Sequence, residues 1–443
     1  MASVEDVARI LRAQPGIRAS DLPVTLRVSQ SRVSRLLSEA GDRIVRFGKA
    51  RATRYALARA IAEVGTSAPI HEIDEHGELR AAGRLFFVEV DGYALTYAGE
   101  DRFDQRLPVF LRECGPSGFL GRHFAQRFPE LGLPERLDRW LGDDYVRAIA
   151  LRGDDAVGNL VVGDESLRRF LRYEEQPREV ADYPQLVRDI AVKPRHSSAG
   201  GERPKFTAFV EGRHVLVKFA GPGDGEDARR WRDLLLLEHL ALEVIREAGF
   251  ARAVESRCID LDGFRFLEVV RFDRVNGRGR VGVRSLDAVR SEVEVAGGSW
   301  TEIVDRLARG VRPRVREADA TAVRWLDAFG GLTANNDRHD GNVSFFRDAK
   351  GALSLAPAYD TAPMALAPVA TGVLENAWQP ELPEPSAVEE WKAAVPSALV
   401  YWERVDGEAR LDLTVRRRAR EARAAVERLA ESRFPGLRAK PGV

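Results

Sequence analysis

Cysteine is nearly missing from this 443-residue chain: only Cys114 and Cys258 occur, far apart, which excludes a disulfide framework and a thiolate zinc site. The seven histidines are scattered without metal-ligand spacing. No run approaches the roughly 18 apolar residues of a membrane span, and the first helix-like segment carries Glu5, Asp6 and Arg9, unlike a secretory leader. Net charge is also lacking, with 68 Lys+Arg against 68 Asp+Glu. These absences predict a soluble, cytoplasmic protein without a membrane partner. What is present is bulk: 443 residues that are 44% hydrophobic exceed one typical core and predict two or three domains.

The charge balance hides an asymmetry, because residues 1–60 hold 12 Lys+Arg against 5 Asp+Glu. One end of the chain is thus suited to a polyanion. Val4, Val7, Ala8, Ile10 and Leu11 recur at helical spacing and stop before Pro15-Gly16. A second short helix is predicted over Ser20 to Val28. Ser29 is placed to cap a third, with Val33, Leu36, Leu37 and Ala40 inward, Ser31, Ser34, Arg35 and Ser38 outward, and Arg32 at the edge. Ile44–Phe47 and Ala52–Leu57 then read as a hairpin around Gly48-Lys49-Ala50-Arg51. Three helices and a basic hairpin resemble a winged helix-turn-helix. Ser31, Arg32, Ser34 and Arg35 would face a major groove, with Arg46, Lys49, Arg51 and Arg54 on backbone phosphates. A trihelical module for protein contacts is the other reading of the same pattern. Gly65, Ser67 and Pro69 predict a linker over 62–70.

Beyond it, Arg84–Val90 and Tyr93–Tyr97, joined at Asp91-Gly92, predict a strand pair. Residues 107–145 predict short helices and loops whose aromatics are core. Ser197, Ser198, Gly200 and Gly201 form a small-residue stretch whose backbone amides could approach phosphate oxygens. Lys218 follows inside the apolar strand Val215–Phe219, where an unpaired ammonium is costly. A helix over Asp227–Ala248 places Glu238 near its apolar bulk, as a candidate partner for Lys218. The strand-like run Phe264–Arg274 would offer backbone groups near Glu268 to Val270 to an adenine edge.

The densest polar stretch is Asn335-Asn336-Asp337-Arg338-His339-Asp340-Gly341-Asn342, with Tyr359-Asp360 downstream. Asp337 and Asn342 have the interval of a phosphotransferase loop in which an Asp orients a hydroxyl and an Asn holds a metal ion. Asp360 falls where a second metal-binding carboxylate belongs. Asp340 and His339 are left as loop-shaping residues. Helices are predicted over Val388–Val395, stopped by Pro396, and over Leu413–Phe434, which carries the basic run Arg416-Arg417-Arg418-Arg420.

Small-residue loop, strand Lys, helix Glu, Val270-Arg271-Phe272-Asp273-Arg274, Asp-x4-Asn loop with Ser344, and Ala358-Tyr359-Asp360 come in an order that resembles the HipA family. These are serine/threonine kinases, the toxins of bacterial toxin-antitoxin systems. The resemblance covers residues 80 to 430. It implies an α+β chain, a two-lobed kinase-like fold preceded by the winged helix-turn-helix. The expected domains are 1–62 for DNA binding, 70–275 for an N-terminal lobe and 276–443 for a helical C-terminal lobe. It further implies ATP and Mg2+ as cofactors, with Asp337, Asn342 and Asp360 catalytic. Asn342 and Asp360 would be the metal ligands, and Lys218 would sit on the phosphates. Ser197 or Ser198 would be autophosphorylated, a protein such as a translation factor or tRNA synthetase would be the substrate, and a homodimer is an expected state. Typical members borrow a separate DNA-binding antitoxin, whereas this chain carries its own segment. A transcriptional regulator with a nucleotide-sensing, kinase-like body and a small-molecule kinase are the alternatives that share these residues.

Overall fold

The computed structural model describes residues 2–191, 204–309, 314–368 and 378–437. Contacts divide the chain into two compact units, Met1–Glu174 with Arg278–Arg280, and Glu175–Gly277 with Val281–Val443. The division therefore falls near residue 174, not at the expected boundaries of 62–70 and 275.

In the first unit the helices are Val4–Ala13, Leu22–Leu26 and Gln30–Ala40. Ser3 and Asp6 form a capping box on the first, and the Ser29 hydroxyl accepts from the Arg32 amide on the third. Val7, Ala8, Leu11, Leu22, Val33 and Leu36 meet in one apolar cluster. The middle helix is shorter than expected, because Arg27 takes a left-handed conformation (φ 55°) and its amide turns back to Pro23 and Val24. Ile17–Arg18, Arg54–Leu57 and Ile44–Phe47 form a three-stranded antiparallel sheet beside these helices.

The predicted linker is not a linker. Ser67 and Pro69 lie in the strand Ser67–Ile73, paired with both Leu79–Val88 and Leu160–Val162. The alternation of buried Ala68, Ile70 and Glu72 with more accessible neighbours is a strand signal that outweighs the Gly/Ser/Pro turn signal. Gly92–Tyr97 and Glu100–Asp104 complete a five-stranded antiparallel sheet. This sheet is continuous with the hairpin's core: Val45, Phe47 and Ala56 cluster with Val88 and Ala94, and Phe103 packs against them. Backbone bonds seal the junction, from the Glu89 amide to the Leu57 carbonyl (2.9 Å) and from the Arg59 amide to the Phe87 carbonyl (3.0 Å).

In the second unit, a sheet in the order Ser256–Leu261, Phe264–Val270, Arg213–Ala220, Lys205–Val210, Pro177–Arg178 carries the helix Glu226–Ala248. Gly249, in the left-handed region (φ 72°), ends that helix. The helices Trp300–Ala308, Glu317–Leu332, Val388–Gly407 and Leu413–Arg433 share a core that includes Trp325, Phe329, Trp391, Tyr401 and Trp402. Pro396 does not stop its helix, contrary to the sequence expectation; Val388–Gly407 runs through it. A proline here costs one backbone hydrogen bond and about 3 kcal/mol. Burial of Trp391, Ala394, Val395, Ala398, Leu399, Tyr401 and Trp402 on both sides offsets that loss.

Phe47, 2% exposed, is the hairpin's anchor on the neighbouring sheet. Phe47→Ala is expected to destabilise the first unit by about 3–5 kcal/mol, with the N-terminal helices and the 67–104 sheet melting together. Hydrogen exchange read separately over residues 4–40 and 67–104 checks this. Loss of protection in the helices alone would show that the two parts fold independently.

Candidate active site

Lys218 sits in the strand Arg213–Ala220 opposite Leu267 of the adjacent strand. It is 3% exposed, so its ammonium cannot snorkel to water. Two carboxylates meet it: Glu238 Oε1 at 2.6 Å and the Asp360 carboxylate. Glu238 is buried because it shares the stripe Leu235–Glu238–Leu242 with two leucines that pack on the sheet face formed by Leu267 and Val269. That spacing is visible in the sequence, yet a surface position for Glu238 is nearly as compatible with it. Glu238 Oε2 is buried with no hydrogen-bond partner among the described residues.

Asp360 reaches the cluster from the loop after the strand Leu353–Leu355. Its backbone is in the left-handed region (φ 54°), a conformation that Asp tolerates better than most residues. The turn is held in place: Ala358 bridges in parallel to Ala253, and its carbonyl accepts from the Val254 amide at 3.0 Å.

The Asn335–Asn342 loop leaves the end of the helix Glu317–Leu332. Asn335, 4% exposed, accepts from the Asp337 amide through Oδ1 (3.1 Å), while Asp337 itself is exposed. Asn342 is buried, and its Nδ2 donates to the Asp337 carbonyl at 2.9 Å, which leaves Oδ1 as the atom available to a cation. Arg338 is clamped by Asp327 (3.0 Å) and by the Glu381 carboxylate. Asp340 pairs with Arg290 at 2.5 Å, and His339 Nδ1 accepts from the Gly341 amide. The Trp300 indole donates to the His339 carbonyl at 3.1 Å. Arg290 and Trp300 escape sequence reasoning because they lie on earlier helices, and Asp327, on the helix that leads into the loop, because only the fold turns it toward Arg338. Behind the loop is a cavity of ≈ 20 Å³ lined by Thr333, Asn335, Asn342, Ser344, Tyr359 and Thr361 among others. It has room for about one water and not for a nucleotide.

Not every predicted residue joins this cluster. Glu268, expected to offer backbone groups, lies in a strand paired on both sides, opposite Val217 and Arg257, and its carboxylate is held by Tyr183 and Arg257. The Val270 amide is occupied by the Glu255 carbonyl at 2.9 Å. Ser197, Ser198, Gly200 and Gly201 lie outside the described residues. In the first unit, Ser31, Ser34, Arg35, Arg46, Lys49 and Arg51 are exposed. Arg32 donates to the Ala2 carbonyl and Arg54 to the Gly16 carbonyl, so both are partly committed to structure.

A model of the HipA-like C-terminal domain matches residues 197–433, and one of the YjjJ-like toxin middle domain matches residues 64–171. The chain belongs to the HipA family. Toxin YjjJ of Escherichia coli (strain K12) is 32% identical over 429 residues, covering 93% of this chain and 95% of that protein. A chain from the Shewanella oneidensis MR-1 toxin-antitoxin complex of HipA, HipB and operator DNA aligns with a TM-score of 0.54 at 16% identity. The alignment covers 84% of this chain and 100% of that one, a likeness of fold. The chain thus has the mixed α/β architecture of HipA.

The candidate donors are oxygens, the Asn342 amide oxygen and the Asp360 carboxylate. This suits a hard divalent cation that takes its remaining ligands from phosphate and water. Among the described residues no group of three or more His, Cys, Asp or Glu is placed to hold a metal ion by itself. The buried Glu238 oxygen, without a partner among the described residues, fits a bound cation as well.

Lys218→Met would leave two carboxylates without their shared cation. A destabilisation of the second unit by about 3–5 kcal/mol is expected. Glu238→Gln, which keeps Asp360 on the ammonium, should cost markedly less. Chemical denaturation of the three proteins tests this, and equal midpoints for Lys218→Met and the parent would show that the charges are not coupled.

Proposed function

We propose that the chain is an ATP-dependent serine/threonine protein kinase of the HipA toxin type that carries its own DNA-binding segment. The single observation that carries this is buried Lys218, held by Glu238 and Asp360 in the same unit as the Asp337–Asn342 loop. When bound, Mg-ATP supplies the transferable phosphoryl group and neutralises its oxygens. Lys218 would hold phosphate oxygens, and Glu238 keeps the ammonium oriented and charged. Asn342 Oδ1 and the Asp360 carboxylate would hold Mg2+. Asp337, exposed at the loop's outer edge, is suited to orient an incoming hydroxyl and accept its proton. The stretch with Ser198, Gly200 and Gly201 would cover the phosphates, and Ser197 or Ser198 would be the autophosphorylation site.

Incubating the intact chain with Mg2+ and γ-labelled ATP is expected to place label on Ser197 or Ser198. Asp337→Asn is expected to cut incorporation by about 10²–10⁴-fold. Nucleotide binding without label would favour a regulator that only senses nucleotide, and label solely on an added metabolite would favour a small-molecule kinase.

The DNA-binding part of the proposal rests on three helices and a hairpin that expose Ser31, Ser34, Arg35, Arg46, Lys49 and Arg51. This geometry fits a winged helix with Gln30–Ala40 as the groove-entering helix. Replacing Arg35 and Arg51 by Ala should flatten the slope of log K against log salt by about 0.9 for each phosphate that is no longer neutralised. Gel retardation on the chain's promoter across a salt series measures it; an unchanged slope would refute the groove assignment.

A further inference from the structure

The two candidate cation ligands come from different segments, Asn342 from the loop and Asp360 from the turn after Leu353–Leu355. The strands Ser344–Arg347 and Leu353–Leu355 pair, and the Ala356 amide donates to the Ser344 carbonyl at 2.9 Å; beyond that ladder a side chain links the loop and the turn directly. The Tyr359 hydroxyl donates to the Gly341 carbonyl at 2.6 Å and lies 2.7 Å from the Ser344 Oγ. Gly341 precedes Asn342 and Tyr359 precedes Asp360, so each end of the link is one residue from a ligand. The phenol is itself held by packing, with its ring tilted against Phe272 at 5.6 Å between centroids. Phe272 in turn packs edge-on against Phe346 at 5.7 Å, in the strand Ser344–Arg347 that follows the loop. Ser344 is 6% exposed, so its hydroxyl depends on the Tyr359 oxygen and not on water. Ring, hydroxyl and serine together form a strut across the gap between the two ligand-bearing segments.

We infer that Tyr359 is a positioning residue that sets the affinity of the site for divalent cations by holding Asn342 and Asp360 at a fixed separation. The inference rests on the kinase reading for the identity of the ligands. Groups that orient metal ligands typically change metal affinity about 10- to 100-fold when removed. Tyr359→Phe deletes the hydroxyl but keeps the ring against Phe272, so it breaks the strut without opening the core.

The test titrates Mn2+ alone into the full chain and follows free Mn2+ by electron paramagnetic resonance. The wild type is compared with Tyr359→Phe, Ser344→Ala and Asp360→Ala. Tyr359→Phe is expected to raise the Mn2+ dissociation constant about 10- to 100-fold with an unchanged melting temperature. Ser344→Ala, which keeps the Gly341 bond, should raise it less and covers the case of a poorly folded Tyr359→Phe. Label transfer from ATP, measured separately, should recover in Tyr359→Phe at saturating Mn2+. An unchanged dissociation constant in Tyr359→Phe, or Mn2+ binding indifferent to Asp360→Ala, overturns the inference. A wild type that binds Mn2+ but transfers no phosphate would defeat the kinase reading, while the shift in Tyr359→Phe would still establish the strut.

Discussion

A lysine buried to 3% exposure imposes the main constraint on the second unit. An ammonium removed from water must be paired or the fold loses several kcal/mol. The partners come from places far apart in sequence: Glu238 on the helix that crosses the sheet, and Asp360 more than a hundred residues later. Satisfying one charge therefore pins the helix to the sheet and brings the Tyr359-Asp360 turn against both. Among the described residues Glu238 keeps an unpartnered buried carboxylate oxygen. A core chosen for stability alone would satisfy that oxygen.

Around this point the loop is held by interactions that spare its chemical groups. Arg338, Asp340 and His339 are each spent on neighbouring elements or on the loop's own backbone, while Asp337 remains exposed and Asn342 keeps its amide oxygen. Side chains between the two functional positions thus do the shaping. Such a division leaves Asp337 and the Asn342 amide oxygen uncommitted while the loop around them is fixed.

Much of the site is legible in the sequence because its signals are local. An Asp and an Asn with a fixed interval, a Lys inside an apolar strand and a Tyr-Asp pair can be read without knowing what they touch. Sequence reading fails where two local signals compete. At Ser67 and Pro69 turn chemistry competes with a period-two burial pattern, and pairing on both sides decides in favour of a strand. At Pro396 the cost of a missing hydrogen bond competes with an apolar surface that only a packed bundle can bury. Glu268 fails for a different reason. Its strand is paired with Arg213–Ala220 on one side and Ser256–Leu261 on the other, and a central position in the sheet is not legible from the strand's own residues.

By itself the sequence determined which chemical groups exist and in what order: the basic N-terminal segment, the strand Lys, the helix Glu, the Asp-x4-Asn loop and the second Asp. Periodicity and capping are short-range, so helices such as Gln30–Ala40 and Glu226–Ala248 followed from it closely. Tertiary structure alone decided which groups meet. It placed Asp360 on Lys218, bonded Tyr359 to the Gly341 carbonyl, and merged the hairpin core with the neighbouring sheet so that the first unit extends to residue 174. Those outcomes depend on burial and on charge pairing between residues distant in the chain, and neither leaves a local mark in the order of the amino acids.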